Sequence, residues 1–571
     1  MEDVQRLLSV MEEQWPQLRS YQIVEQGNYW RGAFELPDPS IPGMIEEIEA
    51  GLPRTVPLYC HPESNFYRDT DLLKRIEEQV DYLLRIQLSS GCISLVNCNI
   101  DSPPDTGFSV HHAAMSYHAL KTASFPEAQA VADKLERYLR QTVPCLLTGG
   151  IHTPNHRWVI CGALALLYEI VPDERLRQRA DEYLSEGLDV NDSGEWTERS
   201  NAIYNAVCCN FLFHAARVFG YDDLMGAIEE NLTMMKYMLH PDGAIVTEYS
   251  SRQDRGETIR LSDDYYIAFK IMASHTRNAE FHSMAAEALK HSNSGVPLLY
   301  LMRFPHLIED TITAAPLPQS YELMLNEGHT APVSGVRPFV RTSMHAGSPL
   351  VRYRDGDLSV TIVSGQPEFL FIQYGKARMP GLRWSFGWFG IAGAPMASLE
   401  KLGSRSYELS IELEGFYEGP LEGASIGRIG RSVFDYKQER TRTHISKLRL
   451  KVRIELLQDH IVVKLRTEGY ENIFAQTVLS FDSNGSLEGT SLQRLSGHLY
   501  YLPSGTVTYR LGEDCIEVSG GSNQHRYAIM RNDKLDPGLL NVICNDVTPV
   551  ERELHFRFKK ISQDAVKERP L

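Results

Sequence analysis

Two short polar segments interrupt the apolar first half of the chain, and each stands directly before an apolar run with helical spacing. They are Asn155-His156-Arg157-Trp158 and Asp192-Ser193-Gly194-Glu195-Trp196-Thr197-Glu198-Arg199-Ser200-Asn201-Ala202-Ile203-Tyr204. Loops at helix starts often line clefts, so both segments are positioned to form a site. Asn, His, Tyr and Arg are the groups needed to remove a proton from a carbon beside a carboxylate. The pair therefore predicts β-elimination on a uronic acid sugar.

This reaction requires three roles from the side chains of the protein. The C5 proton of a uronate is weakly acidic, and neutralising the sugar carboxylate stabilises the enolate-like intermediate, an effect worth roughly 3 kcal/mol. An Asn donor or a His can neutralise the carboxylate without a metal. A base then removes the proton and an acid protonates the leaving oxygen. A Tyr beside a cation such as Arg can serve in both roles.

Each of these residues also has an ordinary structural explanation, which the sequence leaves open. Asn155 stands where an Asn commonly caps a helix, and Tyr204 stands where a packing Tyr keeps its hydroxyl in water. Glu195 and Glu198 are first-turn acids of the kind that a helix dipole favours.

Three further aromatic side chains have two explanations each. Trp158 and Trp196 are either core residues or stacking platforms for a sugar. His112 lies in the His pair near the start of an apolar run over 110–120. It is either an ordinary helical residue or part of the rim formed by the polar segments.

The surrounding elements are predicted to be helical up to about residue 310, because apolar residues recur at three- and four-residue steps. Short links with Gly, Pro, Asn and Asp join them. The two polar segments precede helices over 158–170 and 202–218, separated by one over 176–188. Both segments can therefore open on one rim of a helical-hairpin array, arranged as a bundle, solenoid or toroid. No strict repeat is visible, which disfavours the common solenoids.

The pattern changes after Pro305. From about residue 338, short runs alternate apolar and polar residues between turn residues. The clearest pair, 447–455 and 461–466, predicts a long hairpin. The sequence thus predicts a helical domain over 1–310 that carries the catalytic residues, a linker over 311–337 and an antiparallel β-sandwich domain over 338–571.

Composition limits the partners. A chain of 571 residues is too long for a single core. Its net charge of -17 argues against nucleic acid, since phosphate binding needs a basic stripe. An anionic substrate would require a locally basic cleft, which Arg157, Arg199, Arg252 and Arg255 could supply.

The sequence also predicts a location. The N-terminus has neither a basic region nor an apolar region of a signal peptide, and no apolar run approaches the roughly 18 residues of a membrane span. Nine cysteines are scattered without zinc spacing, and Cys208-Cys209 is expected to be a pair of buried thiols. We therefore expect a cytoplasmic protein without membrane association, which meets oligosaccharides rather than intact polymers.

The two segments and the order of the domains resemble the heparinase II/III-like and alginate lyase families of polysaccharide lyases. Those enzymes carry an Asn-His pair on one helix and a catalytic Tyr some fifty residues later, and here 48 positions separate His156 from Tyr204. They also often show Asp-Gly, then Glu, then Tyr before the second helix, which is similar to Asp192, Gly194, Glu198 and Tyr204.

The resemblance implies an incomplete (α/α) toroid of helical hairpins followed by a large antiparallel β-sandwich. Asn155 would neutralise the uronate carboxylate, and His156 would help or act as base for one epimer. Tyr204 would be the acid, and for the other epimer also the base, with Arg199 as support. The expected substrate-binding residues are His112, Arg157, Trp158, Trp196, Glu198 and Tyr374. No His-Asp-His metal set is visible in the β-half, so neither a metal nor a cofactor is expected.

Two other functions compete with a lyase acting on a uronic-acid-containing oligosaccharide. One is a glycoside hydrolase on the same helical toroid, using two carboxylates as acid and base. Its acids would come from Asp192, Glu195, Glu198 and Asp263. The other is a non-catalytic carbohydrate-binding protein, since fold does not fix function. Alginate, glycosaminoglycan, pectin-like and glucuronan fragments all fit the lyase chemistry.

Overall fold

The computed structural model describes residues 2–37, 44–46, 51–96, 98–309, 312–329, 347, 349–421 and 440–561. The chain divides into two compact units. The helical unit consists of Met1–Leu239 and Gly243–Pro318, and the β-unit consists of His240–Asp242 and Gln319–Leu571.

The helical unit contains helices in nearly unbroken succession. In chain order they are α1 (Glu2–Tyr21), α2 (Leu52–Cys60), α3 (Thr70–Ile86), α4 (Pro103–Ala123), α5 (Pro126–Thr148), α6 (Asn155–Ile170), α7 (Glu174–Leu184), α8 (Tyr204–Phe219), α9 (Asp223–Met235), α10 (Asp263–Thr276), α11 (Ala279–Leu289), α12 (Val296–Arg303) and α13 (His306–Glu309). Two short hairpins accompany them, β1 (Phe34–Leu36) with β2 (Met44–Glu46) and β3 (Ile93–Leu95) with β4 (Asn99–Ser102).

The even-numbered helices form an inner series. Each of α4, α6, α8 and α10 contacts the next even-numbered helix, and α12 also contacts α2 and α4. The odd-numbered helices from α3 to α11 pack against this series as hairpin partners. The family resemblance implied an incomplete toroid of helical hairpins. The helical unit has this hairpin arrangement, and its last inner helix, α12, contacts its first, α2.

Residue patterns explain which helices are inner and which are outer. In α6 every residue except Arg157, Tyr168 and Glu169 is buried, as expected for a helix that is apolar on all sides. In α7 the buried residues are Leu176, Ala180 and Tyr183, which form one stripe at helical spacing. The polar segments that predict the site therefore precede inner helices.

Two cysteines correct an expectation from the sequence. Cys92, beside β3, and Cys145, in α5, form a disulfide, whereas Cys208 and Cys209 are buried thiols. Disulfides persist mainly in oxidising compartments. The scattered cysteines thus no longer support the predicted cytoplasmic location. None of the described helices has the length and apolar character needed to cross a membrane.

The β-unit is built from two large sheets. Its strands are β5 (Ser320–Leu325), β6 (Leu350–Asp355), β7 (Leu358–Val363), β8 (Glu368–Tyr374), β9 (Ala377–Trp388), β10 (Ile391–Gly393), β11 (Ser398–Gly403), β12 (Ser406–Glu418), β13 (Arg442–Leu456), β14 (His460–Gly469), β15 (Phe474–Asp482), β16 (Ser486–Glu488), β17 (Gln493–Arg494), β18 (Leu499–Tyr501), β19 (Thr506–Leu511), β20 (Asp514–Ser519), β21 (Leu539–Val547) and β22 (Glu551–Lys560).

One sheet has the order β17-β18-β21-β15-β9-β8-β7-β6-β5 with β10 beside β9, and the other has the order β11-β12-β13-β14-β22-β20-β19-β16. The described strand pairs are antiparallel except β18 with β21. Apolar residues from both sheets form one core, as alternation along each strand requires. Each sheet therefore contributes an apolar face to a sandwich.

The predicted hairpin is confirmed, because β13 pairs with β14 and Leu456 stands opposite Ile461. The predicted linker over 311–337 is wrong at Ser320–Leu325, which pairs with β6 as an edge strand. Its side chains are mostly half-buried, so the sequence lacks the apolar alternation that identified the other strands. Residues 330–346, which include the predicted domain boundary, lie outside the described part of the chain.

Candidate active site

The site begins at the N-terminus of α6. Asn155 is buried, and its backbone and side-chain N–H groups both donate to Glu198 Oε2, over 3.0 and 2.7 Å. Its amide also donates to Thr153 Oγ1 over 3.1 Å. Pro154 occupies the N-cap position without a side-chain hydrogen bond. The Glu198 carboxylate therefore caps α6 in place of a local side chain, and negative charge there matches the helix dipole.

Asn155 keeps one polar atom without a protein partner. Its Oδ1 is buried and accepts no hydrogen bond from the described residues. An unpaired buried acceptor costs free energy, roughly 1–3 kcal/mol. The amide nitrogen thus has two partners, of which Thr153 is the more distant, and the oxygen can accept a hydrogen bond from a donor such as a sugar hydroxyl.

His156 lies next along α6 with 8% of its surface exposed. Burial lowers the pKa of His156 to about 4, with smaller contributions from nearby His152 and Arg252 and an opposing one from Asp105 of α4. The His152 ring meets the His156 ring edge to face at 4.7 Å. His156 is therefore neutral near pH 7.

The start of α8 is fastened to a loop that follows it in the chain. Asp254 is buried and accepts hydrogen bonds from Ser200 Oγ and from the backbone N–H of Ala202, both over 3.0 Å. The Ser250 hydroxyl binds the same carboxylate. These bonds hold residues 250–254 against the turn that precedes Tyr204.

Tyr204, the first residue of α8, lies beneath this loop. Its phenol oxygen accepts hydrogen bonds from Gln253 Nε2 over 2.8 Å and from Arg252 Nη2 over 3.4 Å. The Arg252 guanidinium also lies over the Tyr204 ring, 4.8 Å from its centroid. The cation beside the phenol is therefore Arg252, which the sequence assigned only to a basic cleft.

Glu198 joins the two halves of the site. Its Oε1 lies 3.1 Å from Arg252 Nε, and its Oε2 accepts from Asn155. Burial raises the pKa of Glu198, although its hydrogen bond with Asn155 and the charge of Arg252 oppose this effect. Continuous contacts thus run from Asn155 through Glu198 and Arg252 to Tyr204. Asn155 and Tyr204, predicted as catalytic, belong to one network.

Arg199, predicted to support the Tyr, lies beside Glu195. Burial lowers the pKa of Arg199, and the Glu195 charge opposes it. The backbone of Arg199 has a φ of 46°, a left-handed conformation that non-glycine residues seldom adopt. The Ser251 N–H donates to the Arg199 carbonyl over 3.2 Å and holds this turn. A catalytic role for Arg199 stays a prediction.

The two tryptophans do not form sugar platforms in this structure. Trp158 is 0% exposed and Trp196 is 1% exposed, and their rings pack 6.2 Å apart. Trp158 Nε1 donates to Asp189 Oδ1 over 2.8 Å. A sugar would have no free ring face, so the stacking predictions for Trp158 and Trp196 are corrected to core roles.

Arg157 also has partners within its own unit. Its guanidinium lies 3.2 Å from Glu186 and 3.0 Å from Asp189 and covers the Trp158 ring at 4.4 Å. These contacts fix the loop after α7. They give no support to the predicted role of Arg157 in substrate binding.

The two remaining predicted residues lie in different units. His112 is half-buried on α4, and burial lowers its pKa to about 4. Tyr374 ends β8 in the β-unit, where its ring lies 5.6 Å from that of Phe558. Both assignments stay predictions.

Gln253 and Asp254 are the site residues that sequence reasoning missed. They follow the segment Glu248-Tyr249-Ser250-Ser251-Arg252, whose polar composition after a Pro-Asp-Gly turn was the available signal. Gln253 contacts Tyr204, which is 49 positions away. Local sequence patterns do not indicate a contact over such a separation. Among the described side chains, no group of three or more His, Cys, Asp and Glu could hold a metal ion.

Comparison with known proteins bears on the fold. A scan of protein-family models and a search of curated proteins give no match. Among solved structures, the chondroitin AC lyase of Streptomyces coelicolor A3, in complex with chondroitin sulphate, is similar at a TM-score of 0.50 and 12% identity. That similarity covers 98% of this chain and 80% of the lyase.

A xanthan lyase of Paenibacillus is similar at a TM-score of 0.52 and 9% identity over 99% of this chain and 58% of that protein. The heparan sulfate lyase HepC of Pedobacter heparinus has a TM-score of 0.47 and 12% identity over 90% of this chain and 76% of the lyase. The chain shares the fold of polysaccharide lyases. It is a helical toroid followed by a large antiparallel β-sandwich.

Proposed function

We propose that this protein is a polysaccharide lyase that cleaves the glycosidic bond next to a uronic acid by β-elimination. The observation that carries the proposal is the contact network from Asn155 through Glu198 and Arg252 to Tyr204. It joins an amide, a carboxylate, a guanidinium and a phenol at the starts of two inner helices. The shared fold with chondroitin and xanthan lyases supports the same reaction class.

Asn155 and Arg252 lower the energy of the intermediate in this mechanism. The substrate carboxylate takes the place of Thr153 on the Asn155 amide, since that bond is the longer of its two side-chain bonds. Arg252 places a positive charge nearby. Donors and charges fixed before the reaction stabilise the enolate-like intermediate without reorganisation.

His156 and Tyr204 carry the proton transfers. According to the epimer, the C5 proton goes to His156, which is neutral near pH 7, or to Tyr204 in its phenolate form. The electron pair of the C5–H bond forms the C4–C5 double bond and the C4–O bond breaks. Tyr204 then protonates the leaving oxygen. The products are an unsaturated uronide and a saccharide with a new hydroxyl group.

The hydrolase alternative is less well supported by its carboxylates. Glu195 and Glu198 are buried, and Glu198 is paired with Arg252. Asp263 accepts backbone hydrogen bonds from Asn293 and Ser294, as a loop-fixing group does. Hydrolysis needs one carboxylic acid and one carboxylate facing each other across the bond.

The test combines a substrate panel with one variant. The purified protein is incubated with chondroitin, alginate, glucuronan and polygalacturonate oligosaccharides, and ultraviolet absorbance reports the C4–C5 double bond. Tyr204→Phe should lower kcat about 10³-fold with little change in KM, since it removes only the transferred proton. New reducing ends without ultraviolet absorbance would indicate hydrolysis, and near-normal turnover by Tyr204→Phe would refute the assigned role.

A further inference from the structure

We propose a second saccharide-binding site on the β-unit, in a cavity beside Tyr527 that takes an acidic sugar. The cavity has a volume of about 410 Å³, within the usual range of roughly 300–1,000 Å³ for small-ligand sites. Its lining includes Gln493, Tyr501, Asn523, Arg526, Tyr527 and Asn545. This site contains none of the residues proposed for elimination, and its existence does not depend on that reaction.

Tyr527 is an exposed aromatic residue on a rigid base. Its side chain is 60% exposed, yet its carbonyl accepts hydrogen bonds from Gln476 Nε2 and Asn545 Nδ2, both over 3.1 Å. Its N–H donates to His525 Nδ1 over 3.2 Å. Both the N–H and the carbonyl of Tyr527 are thus hydrogen-bonded, although its ring is exposed.

The groups that fix Tyr527 are themselves buried. Gln476 is 0% exposed, Asn545 is 1% exposed and His525 is 8% exposed. Gln476 Nε2 also donates to Asn545 Oδ1 over 2.9 Å, and His525 Nε2 donates to the Ala475 carbonyl over 2.9 Å. Buried hydrogen bonds make the backbone that they hold rigid, although Gln476 Oε1 accepts none from the described residues. Here the network fixes the backbone position that carries one exposed aromatic ring.

A ring cluster supports the same side chain. The Tyr527 ring lies 5.3 Å from that of Phe474, and Phe474 stacks on His525 at 4.6 Å. A Tyr held in this way offers a large contact surface at little further loss of conformational entropy. The C–H face of a pyranose ring is an apolar surface of matching size for such a platform.

Polar groups around the cavity match the remaining surface of a sugar. Tyr501 donates a hydrogen bond from its hydroxyl to Asn523 Oδ1 over 2.6 Å, which leaves the Asn523 amide hydrogens for a ligand. Gln493 adds an exposed amide. Side-chain amides can donate to and accept from sugar hydroxyls at once.

Arg526 selects for negative charge. Its guanidinium is near enough to Tyr501 to oppose the rise in the pKa of Tyr501 that burial causes. No carboxylate lines the described cavity to neutralise Arg526. Arg binds carboxylates through charge-assisted hydrogen bonds, so a uronate fits better than an uncharged sugar.

Alternating residues create the cavity wall. Asn523 and Asn545 form a parallel bridge and both line this cavity, whereas their neighbours Ser522, Gln524 and Asp546 line a separate one. Successive side chains of an extended chain point to opposite sides. The extended segment after β20 thus directs the side-chain amide of Asn523 into the cavity beside Tyr527.

The experiment is calorimetric titration of the full-length Tyr204→Phe protein with chondroitin, alginate and polygalacturonate hexasaccharides, and with cellohexaose as an uncharged probe. We expect an acidic hexasaccharide to occupy two sites. Tyr527→Ala should abolish one binding event, and Arg526→Ala should weaken that event at least about tenfold. Tyr417→Ala is the matched control, since Tyr417 is 63% exposed on the same unit outside the cavity.

The outcomes are decisive for the site. Loss of one event in Tyr527→Ala but not in Tyr417→Ala supports it. Equal stoichiometry and affinity in the Tyr204→Phe protein and in its Tyr527→Ala and Tyr417→Ala variants, or no event assignable to the cavity with any probe, overturns it. Equal binding of cellohexaose overturns the acidic-sugar assignment. Failure of elimination in the parent protein leaves this titration interpretable, because the titration measures binding without turnover.

Discussion

Gln253 donates a hydrogen bond from its side-chain amide to the phenol oxygen of Tyr204 over 2.8 Å. Arg252 Nη2 donates a second hydrogen bond to the same oxygen over 3.4 Å. A phenol has two lone pairs and one hydrogen, so these contacts leave the hydrogen for a third partner. In the proposed reaction, that partner is the leaving oxygen of the glycosidic bond.

Gln253→Ala tests this arrangement. It removes one donor to the phenol oxygen and should lower kcat about tenfold, since a hydrogen bond of roughly 1.4 kcal/mol changes a rate by that factor. KM should change little, because the interaction is with Tyr204, the proposed acid, rather than with the substrate. Steady-state rates from ultraviolet absorbance give both constants. Glu257→Ala, at an exposed position of the same loop, is the control, and equal rates for the two variants would contradict the prediction.

Glu198→Ala should destabilise the helical unit by about 3 kcal/mol. The variant leaves the Asn155 amide and the Arg252 guanidinium without their shared carboxylate, and removing one partner of a buried pair is strongly destabilising. Urea denaturation measures the free energy of unfolding. Glu186→Ala removes an exposed ion pair with Arg157 and should cost less than about 1 kcal/mol. A similar loss in both variants would show that Glu198 does not organise the site.

Trp158→Phe distinguishes a core tryptophan from a sugar platform. The ring is fully buried and its Nε1–H donates to Asp189, so the variant should lose about 1–3 kcal/mol of unfolding free energy. KM for the best substrate should stay within about twofold of the parent value, because no sugar touches the ring. A large rise in KM with unchanged stability would restore the stacking role.

His156 should make stability depend on pH. Its pKa is about 4 in the folded protein against an ordinary 6.5, so the unfolded chain binds more protons between these values. The free energy of unfolding should therefore fall as the pH drops from 6.5 to 4, with about 3 kcal/mol as the upper limit of this contribution.

His156→Gln removes that titration and should flatten the fall, as measured by urea denaturation at pH 7 and at pH 5. Buried histidines elsewhere in the helical unit, such as His111 and His214, also have a lowered pKa and will retain part of the dependence. His306→Gln, at an exposed position, should leave the parent profile unchanged. An identical slope for His156→Gln and the parent would contradict the prediction.

The order of elements was accessible from the sequence because each signal is local. Apolar spacing located α6 and α8, and alternation located the β13–β14 hairpin. The edge strand Ser320–Leu325 was missed because its successive side chains are mostly half-buried, which leaves no clear alternation. The Cys92–Cys145 disulfide was missed because its cysteines are 53 positions apart.

Residue types and positions made Asn155, His156 and Tyr204 candidates, since their side chains have the required chemistry and hydrophobic periodicity places them before helices. Only the tertiary structure decided which side chains surround them. It placed Arg252 and Gln253 on Tyr204, made Glu198 the link to Asn155, and buried both tryptophans. These contacts join residues more than forty positions apart, and such pairs meet through packing of whole helices rather than through any short-range propensity.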